Sequence, residues 1–145
     1  LDMLADAAVY ALALFAVGAA AGRKLRTAHL SGWLQLILGI GILIEVARRI
    51  WIGATPEPPV MLGIALLALA ANVMCVVLLA RHRDGAAHMK ASWIFTANDA
   101  LANLGVILAG ALVAWLNTPW PDWVIGTAIA GLILHGAWRI LRLRA

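Results

Sequence analysis

Five apolar runs, each about long enough to cross a membrane, fill nearly all of this chain and constrain its fold more than any other feature. Lipid offers the peptide backbone no hydrogen-bond partner, so a chain built of such runs must satisfy its amides internally, as helices. About 20 apolar residues cross the hydrocarbon core. The runs predict helices over about 2–22, 30–53, 59–81, 89–116 and 121–143. Composition agrees: the 145 residues are 64% hydrophobic and only 12% charged, with mean hydropathy +0.94. A soluble domain carries about twice that charge. The expectation is an all-α membrane protein, a polytopic bundle of five transmembrane helices forming one transmembrane domain over 1–145.

The breaks between runs read as loops. Pro56, Pro58, Pro59, Pro119 and Pro121 all fall there, where a missing N–H costs least. The pI near 10.2 would point to nucleic acid in a soluble protein. Here the cations sit at span ends, so they predict contact with the lipid bilayer and no nucleic acid. Nine of the eleven Lys and Arg residues follow helix one, join helices three and four, or close helix five. Only Arg48 and Arg49 fall on the other side, where Arg49 can pair with Glu45 one turn away. The excess of cations marks the cytoplasmic side, so the chain is expected in the cell inner membrane with its C-terminus in the cytoplasm. An odd number of helices starting outside predicts a further helix upstream of Leu1. Trp51, Trp115, Trp120 and Trp123 mark the outer interface and Trp33, Trp93 and Trp138 the inner one. The single cysteine, Cys75, excludes an internal disulfide and reads as a packing residue.

Against this apolar background three carboxylates stand out: Asp2 and Asp6 in LDMLADAAVYALALFAVG, and Asp99 in FTANDALANLGVILAGALV. An ionised Asp at mid-bilayer costs about 2.5–3.5 kcal/mol even on the lenient insertion scale, so such residues face a cavity, a proton or a cation. Asp2 and Asp6 are one turn apart on one helix face, which Tyr10 continues. Asn103 follows Asp99 by one turn. Three carboxylates and an amide oxygen make a hard donor set suited to a divalent cation. The depths do not match on these boundaries: Asp99 lies roughly 14 Å from the inner end of its helix and Asp6 roughly 25 Å from RKLR. Helix one is therefore expected to project into the cytoplasm. Asn72 reads as an interhelical hydrogen-bond residue, His135 as structural, and His82, His88 and Asp84 as solvated loop residues.

The motifs resemble those of the cation diffusion facilitator family, the divalent-metal/proton antiporters. LDMLAD is similar to the [HD]xxxD metal motif of the family's second helix, with Asp2 and Asp6 at the two ligand positions. HMKASWIFTANDALANLGV is similar to the fifth helix, with Asp99 at its Asp and Asn103 at the Asn one turn on. The family's His or Asp position falls on Phe95, which has no donor. The NDA–N core and the HRDGAAHMK approach resemble most a short bacterial subgroup without the cytoplasmic C-terminal domain. The resemblance implies helices two to six of a six-helix bundle, a metal site of Asp2, Asp6, Asp99 and Asn103, and a homodimer as assembly.

The leading expectation is a cation efflux transporter, exchanging a divalent metal for protons through a buried Asp-rich site. The metal is its substrate, with Zn first and Co, Cd or Mn as alternatives. With Phe95 in place of an imidazole, the ligands are oxygens and selectivity is relaxed. The alternative is a degenerate membrane protein that binds metal or a partner without transporting. No HExxH or GxSxG motif is present, and no enzyme is expected.

Overall fold

A computed structural model describes residues 2–18, 20–53, 58–81 and 85–144, with side chains described from residue 7 in the first helix and from 62 in the third. Five helices follow in order: α1 (Asp2–Phe15), α2 (Ala21–Ile52), α3 (Pro58–Ala80), α4 (Ala87–Leu116) and α5 (Trp120–Leu141). Four of them, α2 to α5, are long and apolar enough to cross a membrane, so the chain is a membrane protein. The helix stops are local. Gly53 and Asn117 adopt the left-handed conformation that closes α2 and α4, and their N–H groups donate to the Arg49 and Val113 carbonyls. Pro121 sits in the first turn of α5, where its fixed φ suits a helix start.

The first two helices depart from the expected 2–22 and 30–53. α1 ends at Phe15, the chain turns through Gly18 at φ 75°, and α2 begins at Ala21. RKLR therefore belongs to the first turns of α2 rather than to the end of α1. A glycine that accepts positive φ breaks the run that apolar composition alone reads as continuous. The correction removes the depth mismatch. Asp6 lies nine residues before the end of α1, Asp99 twelve residues after the start of α4, and no projecting helix is needed.

α2 packs most extensively on α5, α3 on α4, and α4 on α5, while α1 rests more lightly on α2 and α4. The interior is built from small residues: Ala28, Ala91, Ala130 and Ala137 are fully buried. Large apolar side chains such as Ile37, Leu67 and Leu78 face outward. In lipid there is no hydrophobic drive between helices, so close approach over small residues supplies the packing. Gly39 of α2 lies against Leu134 of α5, and Gly136 of α5 lies against the side chains of Asn98 and Gln35, where a methyl group would overlap the Asn98 amide.

Candidate metal centre

The five helices leave an apolar cleft of about 1020 Å³ between them. Ala8 of α1, Leu38 and Val46 of α2, Ala65 of α3, Ala102 of α4 and Ile129 of α5 are among its walls. Its polar groups fall in two stations. The deeper holds Asp99 and Asn103, both half-buried and one turn apart on α4. The other holds Glu45, Arg49 and Asp122, at the end of α2 and the start of α5 where Trp51 and Trp120 also lie.

α1 is keyed to α4 just beside the deeper station. The Tyr10 hydroxyl and the Thr96 hydroxyl share a hydrogen bond of 2.8 Å. Val9, fully buried, joins Ala91, Ile94 and Phe95 in one apolar cluster. Ala8, one residue further toward the start of α1, already lines the cleft with Asp99. Stepping back along α1 thus corresponds to stepping forward along α4, as in an antiparallel pair.

The outer station is an ion-pair network. Arg48 binds Glu45 through two hydrogen bonds of 2.8 and 2.7 Å. Arg49 bridges helices, donating from Nε to Glu45 at 3.0 Å and from Nη1 to Asp122 of α5 at 2.9 Å. Asp122 is only 8% exposed at its side chain, so its partner matters more than a surface partner would. The expected Glu45–Arg49 pair is present, and Arg48 shares it.

Of the four expected ligands, Asp99 and Asn103 share the cleft. Asp2 and Asp6 lie on the backbone of α1, and their side chains fall outside the described residues. Among the described residues no three His, Cys, Asp or Glu side chains stand close enough together to hold a metal. Phe95, 1% exposed, belongs to the apolar cluster and not to the walls of the cleft. His88 differs from its expected place in a solvated loop: it lies in the first turn of α4 and is buried. Helix α4 starts two residues earlier than its apolar pattern, because nothing in AAHMK breaks it. His82 and Asp84 lie outside the described residues. His135 is exposed on α5, with its ring 5.8 Å from that of Trp138. Sequence reading missed Thr96 and Asp122. A Thr in a helix carries no distinguishing pattern, and Asp122 at a helix start reads as an ordinary first-turn acid.

Comparison with known proteins agrees with this architecture. Residues 1–143 match the cation efflux transmembrane domain. The chain is also similar to the zinc transporter ZitB of Pectobacterium atrosepticum, with 27% identity over 154 aligned positions that take in 97% of this chain and 48% of that protein. It thus spans about half the length of the curated relative it matches. The chain belongs to the cation efflux family, as the resemblance of LDMLAD and FTANDALAN to the cation diffusion facilitator motifs implied. It is a membrane protein of a transporter family, not an enzyme.

The outer station yields a stability test. Asp122→Ala leaves Arg49 with one carboxylate in place of two and is expected to cost about 1–3 kcal/mol. Arg48→Ala, which removes an exposed pair, is expected to have a distinctly smaller effect. Thermal melts of both variants in detergent check this, and equal losses would show that the bridge to α5 contributes no more than a surface pair.

Proposed function

We propose that this chain is the membrane part of a proton-coupled exporter of divalent metal, with Asp2, Asp6, Asp99 and Asn103 as its metal ligands. The observation that carries the reading is the hydrogen bond between Tyr10 and Thr96 beside the cleft that Asp99 lines. From Tyr10 back to Asp6 is one turn, about 6 Å, and from Thr96 on to Asp99 about 4.5 Å. In an antiparallel pair these steps run the same way, so Asp6 falls level with Asp99. The next turn on each helix brings Asp2 level with Asn103. The register supports convergence of the four residues on one side of α1 and α4.

Metal and proton would compete for the same carboxylate lone pairs, so loading one expels the other. Alternating exposure of the site by rocking of the bundle turns that competition into exchange. Zn is the first candidate cargo, on the strength of the zinc-transporting relative, with Co, Cd and Mn acceptable to an oxygen-rich site. α1, of 14 residues here, is read as a fifth span. The nine cations at one end support an inner-membrane orientation with a cytoplasmic C-terminus. A second reading, a metal-binding protein that does not transport, draws on Phe95: an apolar core residue stands where the family motif supplies a donor.

Two measurements test these assignments. Calorimetry should show Zn binding abolished by Asp99→Ala and largely kept by His135→Ala. Equal loss in both, or none with Asp99→Ala, would overturn the site. For orientation, an Arg144→Cys variant made in a Cys75→Ala background should react with an impermeant thiol reagent in inverted vesicles and stay unlabelled in intact spheroplasts. Labelling in spheroplasts would reverse the topology.

A further inference from the structure

A second concave site lies at the opposite end of the bundle from Arg49, where α4 begins and α5 ends. It is a groove of about 420 Å³ walled by Lys90 and Trp93 of α4 and by Trp138, Arg139, Arg142 and Leu143 at the end of α5. Among the described residues no carboxylate lines it, and none pairs with its three cations. That separates them from Arg48 and Arg49, whose charges are met by Glu45 and Asp122. The groove is also built rather than frayed. The Arg142 guanidinium sits 3.7 Å over the Trp138 ring. The chain just beyond α5 is fastened to α2, because His29 Nε2 donates to the Leu143 carbonyl at 3.2 Å.

The chemistry this arrangement recognises is a phosphate with an acyl tail. Three cations that no described carboxylate pairs call for an anion, and two guanidinium groups match phosphate oxygens. Trp93 and Trp138 line the groove, and an indole at a membrane interface suits both an acyl chain or glycerol, through its apolar ring, and ester or phosphate oxygens, through its N–H. Exposed apolar side chains lie at the same end of the bundle, Leu30 and Trp33 of α2 among them, so an occupant with a tail can keep it in lipid.

We propose that the groove formed by Lys90, Trp93, Trp138, Arg139 and Arg142 is a binding site for the headgroup of an anionic phospholipid. Basic pockets between helices at a bilayer surface hold such headgroups in the same way. The site is separate from the metal cleft and does not depend on the metal reading. The leaflet it faces follows from the orientation proposed above, while binding itself does not.

The test uses the purified chain in detergent, titrated with phosphatidylglycerol, phosphatidylcholine or inorganic phosphate, with bound lipid read by native mass spectrometry and protection by thermal melting. Phosphatidylglycerol is expected to bind at least about tenfold more tightly than phosphatidylcholine. The double variant Arg139→Gln/Arg142→Gln should lose that preference. Arg23→Gln/Arg26→Gln, which removes the same charge from the start of α2 outside the groove, should keep it. Should the first double variant fold poorly, Lys90→Gln alone must weaken the preference. Equal loss in the two double variants would mean that phosphatidylglycerol reads only net charge, and would overturn the site. Protection by inorganic phosphate equal to that by phosphatidylglycerol would overturn the assignment to a lipid.

Discussion

An ionisable carboxylate among lipid-grade side chains is the constraint on which the rest of this structure depends. Asp99 sits in the middle of α4, and desolvating its charge would cost several kcal/mol without compensation. The bundle answers by keeping a cleft open at that level and bringing α1 to its edge. Toward the basic end Phe95, Val9, Ala28, Ala91 and Ile140 pack into an apolar cluster, so Asp99 stands at the boundary between packed core and open cleft. A polar group at such a boundary can exchange its partner, which a fully buried one cannot.

The cleft runs from that boundary toward the tryptophan-rich end, where Glu45, Arg49 and Asp122 line it. The two carboxylates there are balanced by the guanidinium groups of Arg48 and Arg49, so this station is an ion-pair clamp close to neutral in charge. Arg49 also joins α2 to α5 at the point where their close packing over Gly39 and Gly126 ends. Fastening at this end, and the His29–Leu143 contact at the other, hold α2 and α5 as a pair. α1, with far fewer contacts, is held at the cleft by the hydrogen bond from Tyr10 to Thr96 and by the burial of Val9.

Most of the fold is legible in the sequence because membrane helices obey few rules. Length, apolarity and proline placement give α3, α4 and α5 nearly to the residue. The boundary between α1 and α2 is not legible in that way. GAAAG is as apolar as the runs beside it, and the helices part where Gly18 takes a positive φ and Ala20 an extended conformation. That Asp99 and Asn103 face a cleft is legible because a carboxylate in lipid demands a reason. Thr96, Gln35 and Asp122 are not, because their roles come from neighbours across helices: Tyr10, Gly136 and Arg49. His88 misleads for the opposite reason. A loop-like neighbourhood in sequence becomes a buried first turn once α2 packs beside it.

Metal flux in proteoliposomes measures the central claim most directly. The purified chain is reconstituted with a Zn-sensitive dye trapped inside, and a pH gradient is imposed across the vesicle wall. Zn should move only while the gradient persists, opposite to the protons, and both movements should vanish in Asp99→Asn. Zn bound by the chain but not moved under a gradient of either sign would contradict exchange at Asp99 and leave a protein that holds metal without carrying it.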